Sequence, residues 1–279
     1  MNDFLLGDAP LSLHHLTVLD ATPLELIEIA GTLRCDHVCL FTHVPEEGRQ
    51  MFPSVGRAEI PVVRETLHRA GVSLCNIEFF PIDGKPDYPA FEEALAVGQA
   101  LGATKATVHV HGLDDDEAVR WLRDFCDRAA PFGIVPGLEP NAFSAVRSVA
   151  HAAEIIRRVE RENLAMVCDA LHLVRSGGTF EDVAAASDLI GYFQICDGPL
   201  EIADGDRWHE AIFERGIPGN GAFPLRDALP LLQPGTVIDV EVPQKAARKA
   251  GVSGLERARR AVDATRSILA SLDRKDAAR

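Results

Sequence analysis

No apolar run in this 279-residue chain approaches the ~18 residues that a membrane-spanning helix requires. The first residues, Met1-Asn-Asp-Phe-Leu-Leu-Gly-Asp8, carry an acid where a secretory leader carries basic groups, and their apolar stretch is too short for one. A cytoplasmic protein is therefore expected. No Cys-x-x-Cys pair occurs among the six cysteines, Cys35, Cys39, Cys75, Cys126, Cys168 and Cys196. Most lie in apolar patterns, where a free thiol behaves as a small hydrophobe, so reduced structural thiols are expected. The phosphate-loop, nucleophile-elbow and His-Glu-x-x-His patterns are missing, and no glycine-rich dinucleotide fingerprint follows the first strand pattern. Nothing supports serine or cysteine nucleophilic catalysis. Positive charge is also short: the net charge is −14 and the pI about 5.1, a field that repels phosphate backbones and argues against a nucleic-acid partner.

What remains is an ordinary globular composition, 47% apolar and 25% charged. Along it a strand-then-helix alternation recurs. The strand patterns are Leu11–Val18, His37–Thr42, Val72–Phe80, Lys105–Val110, Ile134–Glu139, Leu164–Asp169, Ile190–Cys196 and Thr236–Val242. Helical spacing follows them over Pro23–Leu33, Ala58–Ala70, Tyr88–Leu101, Asp114–Phe132, Ala145–Arg161, Phe180–Ser187, Pro224–Leu232 and Gly254–Leu272. Glycines at 71, 102 and 133 close three of these helices, where a left-handed residue is wanted. Eight such units, with strands rich in Val, Ile, Leu and Phe, predict an α/β fold: one closed (β/α)8 barrel over about residues 11–272, in a single domain. A doubly wound open sheet is the runner-up.

Four of the strand patterns stop at an oxygen-bearing side chain: Glu139, Asp169, Gln194 and Glu241. The spacings are 30, 25 and 47 residues, each about one β/α unit, the last enlarged by the long Asp197–Phe223 connection. In a closed parallel barrel those ends share one face. Three carboxylates and an amide are hard ligands, so Mn²⁺ or Mg²⁺ is expected before Co²⁺ or Zn²⁺. Three carboxylates exceed the ion's charge by one, which suits a substrate bound through neutral hydroxyl or carbonyl oxygens. The plain alternative for each acid is a helix cap or an ordinary ion pair.

Other side chains are candidates for substrate contact. His172 follows Asp169 by three residues, and its ordinary pKa near 6.5 suits proton chemistry. His109 and His111 alternate on the fourth strand and so face one way, with one of them expected at the barrel mouth. Glu78 ends the third strand pattern. Of His14 and His15 on the first, at least one must face away from the pocket. The Asp197–Phe223 connection carries Trp208, His209 and Arg215 ahead of the turn Pro218-Gly-Asn-Gly221. Connections this long often act as lids, and an arginine there can grip a carboxylate or phosphate.

At these residues the chain resembles the xylose isomerase-like barrels, the sugar isomerase and epimerase superfamily that also holds endonuclease IV. The likeness runs from Leu11 to about Leu272 and rests on Gly-Leu-Glu139-Pro, Cys-Asp169-Ala-Leu-His172, Phe-Gln194-Ile-Cys-Asp197-Gly, Arg215 with Pro218-Gly-Asn-Gly221, and Val-Glu241-Val-Pro. The resemblance implies a metal held by Glu139, Asp169, Gln194 and Glu241. It implies proton abstraction beside a carbonyl through a metal-stabilised enediolate, with Glu139 and Glu241 as base and acid and His172 on a substrate oxygen. A keto-sugar or polyol isomerase or epimerase is the function so implied.

Two residues depart from the common epimerase pattern. Gln194 stands where a metal-binding histidine is usual, which resembles the dehydroshikimate dehydratase branch and points to a dehydrating lyase as the alternative. Asn220 replaces an acid in the glycine-rich turn. Endonuclease-like DNA repair needs a histidine-rich multi-zinc site and a basic face, and the net charge opposes it. A barrel that merely binds a metabolite would have lost the quartet. A homo-oligomer is allowed, though no interface stripe marks one.

Overall fold

A computed structural model describes residues 5–276. Eight strands close into a barrel in sequence order, every neighbouring pair parallel and the last pairing with the first. They are β1 Leu11–His14, β2 His37–Phe41, β3 Ser73–Ile82, β4 Lys105–Val110, β5 Val135–Leu138, β6 Ala165–Asp169, β7 Ile190–Ile195 and β8 Val237–Val240. The larger surrounding helices are α1 Pro23–Thr32, α2 Ile60–Ala70, α3 Tyr88–Leu101, α4 Asp115–Ala129 and α5 Val149–Val159, with α11 Gly254–Asp276 closing the chain. Short ones lie between: α6 Ala170–Arg175, α7 Phe180–Ala185, α8 Arg207–Phe213, α9 Leu225–Ala228 and α10 Lys245–Lys249. The closed ring excludes the open sheet. No helix among the described residues is long and apolar enough to cross a membrane.

Helix starts are set by local chemistry. Thr22 and Asp114 each accept the amide three residues on, from Glu25 and Glu117, and donate their own amides to the carboxylates of those glutamates, satisfying amides that have no partner inside the helix. Gly71 and Gly102 end α2 and α3 with φ of 67° and 90°, a conformation that costs glycine nothing.

Two departures from the sequence expectation matter for the site. The first strand ends at His14 rather than Val18: residues His15–Val18 turn as a 3₁₀ helix. There the Thr17 hydroxyl donates to the Val240 carbonyl (2.7 Å) and accepts from the Val242 amide (2.9 Å), pinning that turn to the end of β8. The long connection after β7 contains helix α8, and α6 and α10 are further short helices that the 3.6-residue pattern is too brief to reveal. At the other end, α11 runs past Leu272, and the Asp273 carboxylate accepts from the amides of Leu6 and Gly7 (2.7 and 2.8 Å), which anchors this part of the helix. Residues 277–279 lie outside the described region.

Period-two alternation then sorts the strands, except that a bulge in β3 between Leu74 and Asn76 lets Cys75 and Asn76 both face inward. Phe193, Ile195 and Cys168 face outward into the main core between sheet and helices. Val167, Tyr192, Val237 and Cys75 form a separate apolar plug inside the barrel. Gly137 leaves room for it, because a Cβ there would meet a Val167 methyl at 2.7 Å. Two residues further along β6 and β7, the same inward face presents Asp169 and Gln194. An apolar floor under a polar rim is what the alternation builds. All six cysteines are free and buried, and burial pushes the thiols of Cys35, Cys75 and Cys126 up to about 12.

Candidate active site

Above the plug lies a cavity of about 200 Å³. Its polar lining is His14, Glu78, His109, His111, Glu139, Asn141, His172, Gln194, Arg215 and Glu241, and its apolar wall includes Phe41, Phe52, Phe79, Phe143 and Trp208. Asp169 lies just beneath, 1% exposed. Glu139 and Glu241 sit one residue past the ends of β5 and β8, so the quartet meets at one barrel mouth. Ligand atoms of Glu139, Asp169 and His172 all fall within 4.8 Å of one another.

Asp169 does two jobs. Its Oδ1 accepts the amides of Leu171 (2.6 Å) and His172 (3.1 Å), capping α6. Its Oδ2 accepts from the Arg215 guanidinium at 2.7 Å. Burial works to raise this carboxyl, but Arg215 and His172 bring it down to about 2. Burial keeps His172 below the ordinary histidine value, hence neutral, and its Nδ1 has no hydrogen-bond partner.

Arg215 was expected over the pocket, gripping a substrate anion. It is instead 5% exposed and committed to the protein: besides Asp169, it meets Glu241 Oε1 at 3.0 Å and donates to the Ala211 carbonyl at 2.9 Å. One guanidinium thus bridges two of the three quartet carboxylates, Asp169 and Glu241, and burial still raises the Glu241 carboxyl well above its ordinary value. The loop that delivers Arg215 is held by Asp197, whose carboxylate accepts from the amides of Gly198, Gly219 and Phe223. Gly216 packs so tightly on it that a Cβ would come within 2.6 Å of the Asp197 carbonyl oxygen.

The histidines separate. His109 contacts the Glu139 carboxylate and stacks on Phe79 at 5.8 Å. Burial lowers the His109 pKa, but Glu139 outweighs it and leaves the group above its ordinary value. His111, one residue beyond β4, also lines the cavity, so both face the mouth. His14 lines it too. His15 turns away, stacks on Phe41, and burial brings it down to about 4. His209 is exposed and packs against Phe213 at 5.4 Å, outside the cavity lining. Trp208 is 55% exposed and meets Phe143 edge-on at 5.2 Å over the mouth, as a lid residue would.

Glu78 is directed inward rather than to solvent. Its Oε1 accepts from Thr107 (3.0 Å), Gln194 (3.4 Å) and Asn76 (3.5 Å), and its Oε2 lies 3.1 Å from His14 Nε2. Sequence reasoning missed Asn141 and the phenylalanine wall. Asn141 lies two residues after Glu139, a proximity that could have flagged it. The phenylalanines come from separate loops and strands and left no pattern.

A cation fits the chemistry of this donor set. Gln194 Oε1 and Glu241 Oε2 are buried oxygens with no hydrogen-bond partner, as is His172 Nδ1 among the nitrogens. Such atoms are costly unless something electropositive meets them.

Known proteins share parts of this picture. A 3-dehydroshikimate dehydratase of Pseudomonas aeruginosa is 30% identical over 106 residues, a match spanning 37% of this chain and only 16% of that protein. Among solved structures, the IolI protein with a zinc atom superposes with a TM-score of 0.75 at 20% identity, covering 94% of this chain and 98% of that one. A D-psicose 3-epimerase from Clostridium cellulolyticum H10, solved with D-tagatose, gives 0.70 at 15% identity, covering 93% and 99%. At such identities the superpositions speak for the fold. The model of the xylose isomerase-like TIM barrel matches residues 32–268. The chain belongs to that family.

Proposed function

We propose that this chain is a divalent-metal-dependent isomerase or epimerase of a keto-sugar or related polyol, working by proton abstraction beside a carbonyl. The observation that carries the reading is the convergence of Glu139, Asp169 and His172 with the unpartnered oxygens of Gln194 and Glu241 at one cavity. Glu139, Asp169, Gln194 and Glu241 would hold Mn²⁺ or Mg²⁺. His172 offers a nitrogen within the same reach, which also admits Co²⁺ or Zn²⁺. A bound ion would supply Lewis acidity to a substrate carbonyl or hydroxyl oxygen.

The chain's own groups do the rest. Glu139 and Glu241 end strands three positions apart in the ring of eight, so a substrate seated between them meets one carboxylate on each side. One takes the proton from carbon and the other returns one. Neutral His172 contacts a substrate oxygen. The aromatic wall around Phe79 and Phe143 keeps water from the exchanging proton.

A second reading is a lyase that expels a β-hydroxyl from a cyclic hydroxyketone after the same first step. Gln194 and the partial match to a dehydroshikimate dehydratase favour it. One experiment addresses both: incubate Mn²⁺-loaded protein in D₂O with panels of ketoses and cyclic hydroxyketones. Carbon-bound deuterium in a ketose supports the isomerase. A conjugated, ultraviolet-absorbing product from a cyclic ketone supports the lyase. Absence of both sinks the shared step.

A further inference from the structure

Gln194 differs from the other quartet members in one respect. Its amide offers an oxygen and an NH₂ group of nearly the same shape, and only the oxygen can bind a cation. Something must decide which end faces the cavity. In the structure Nε2 lies 3.4 Å from Glu78 Oε1, while Gln194 Oε1 has no partner. An ionised carboxylate only accepts hydrogen bonds, so the flipped amide would set oxygen against oxygen.

The rest of the Glu78 environment holds it in that role. Thr107 and Asn76 present donors to its Oε1. On the other side, the Leu16 amide donates to His14 Nδ1 at 2.9 Å, which places the imidazole proton on Nε2, facing Glu78 Oε2 at 3.1 Å. Every side chain hydrogen-bonded or ion-paired to Glu78 is thus a donor, and the carboxylate is 8% exposed. Its place above the plug is fixed by strand geometry: Asn76 and Glu78 share the inward face of β3, and Thr107 lies on neighbouring β4.

We propose that Glu78 is a positioning residue that locks the Gln194 amide with its oxygen toward the metal. This rests on the metal reading above. Where a histidine ligand is usually oriented by a carboxylate on its other nitrogen, here the same device orients an amide. Glu78 would then serve the ion through Gln194 rather than by gripping substrate.

The test is a cycle read by Mn²⁺ binding, using the paramagnetic signal of free ion, with no substrate present. Glu78→Ala should weaken binding by about 10–100-fold, the range typical of lost outer partners of a ligand. Repeated in a Gln194→Glu background, Glu78→Ala should cause no loss, since both ends of a glutamate are oxygen. Thr107→Val, which keeps the carboxylate but removes one of its donors, should give a smaller loss and guards against a misfolded Glu78→Ala. Equal losses in both backgrounds, or none in either, would overturn the proposal. A second readout needs no metal: the Gln194 side-chain amide protons should resist exchange in the wild type and lose that protection in Glu78→Ala. Protected protons in a protein that binds no Mn²⁺ would keep the orientation and discard the metal reading. Protons unprotected in the wild type would discard the orientation itself.

Discussion

Among the described residues the barrel interior carries two buried trios of metal-type side chains, and they differ in where their protons sit. Glu139, Asp169 and His172 cluster at the ends of β5 and β6; His14, Cys39 and Asp239 cluster among β1, β2 and β8. In the second trio two of the three side chains, His14 and Cys39, are already engaged or protonated, while both Asp239 oxygens lack a hydrogen-bond partner. His14 Nδ1 takes the Leu16 amide, so its Nε2 carries a proton. Burial holds the Cys39 thiol well above its ordinary value, and its sulfur accepts from Asn76 at 3.2 Å. Burial also pushes the Asp239 carboxyl up to about 6. In the first trio Asp169 is an anion down to about 2, His172 is neutral, and its Nδ1 has no partner. Like ingredients give one corner where an imidazole and a thiol hold protons and one where a neutral imidazole stands beside a carboxylate that stays ionised. The sorting is done by neighbours, Arg215 on one side and the Leu16 amide on the other.

The comparison can be broken hardest at Glu139. Glu139→Gln should cut turnover of any substrate found in the D₂O panels by ~10²–10⁴-fold, the usual worth of a positioned acid or base. A near-normal rate would remove Glu139 from the chemistry. Next is the clamp that the first trio has and the second lacks. Arg215→Leu leaves Asp169 and Glu241 buried without their cation, which should cost the metal-free protein about 3–5 kcal/mol by chemical denaturation. Saturating Mn²⁺ should recover part of that loss. Unchanged stability would show that the guanidinium is not compensating those carboxylates.

One histidine next to the second corner should resist charging. His15, beside that trio, has a folded-state pKa of about 4 against an ordinary 6.5. The unfolded chain therefore binds the proton first. Stability from this group is full above pH 6.5 and is lost as pH falls toward 4, by about 3 kcal/mol in all. Subtracting the pH profile of His15→Gln from that of the wild type should isolate this slope. A flat difference curve would mean that His15 is solvated or paired in a way its burial does not suggest.

The fold was legible because eight apolar runs and their helices repeat at β/α spacing, and because Glu139, Asp169, Gln194 and Glu241 each interrupt such a run at its end. Strand alternation also foretold that His14 and His15 could not both enter the pocket. The plain alternative, an acid capping the next helix, is realised at Asp169 alongside its ion pair. What stayed hidden depends on loops. The Arg215 clamp is set by the Asp197 knot and the path of α8, neither of which has a period to read. The same loop carries His209 out of the cavity. The Glu78 network was hidden for another reason: its donors come from β1, β3, β4 and β7, which only the closed ring brings together.

The most direct test of the account sets the two trios side by side. Mn²⁺ is titrated against the wild type, Asp169→Asn and Asp239→Asn, with thermal stabilisation as the readout, since an ion that binds only the folded state raises stability by mass action. The account predicts that Asp169→Asn abolishes the stabilisation. Asp239→Asn should leave it intact to within about threefold in affinity, because Asp239 reaches the quartet only through His14 and Glu78 and not directly. Stabilisation that survives in Asp169→Asn and vanishes in Asp239→Asn would place the ion in the wrong corner and contradict the account.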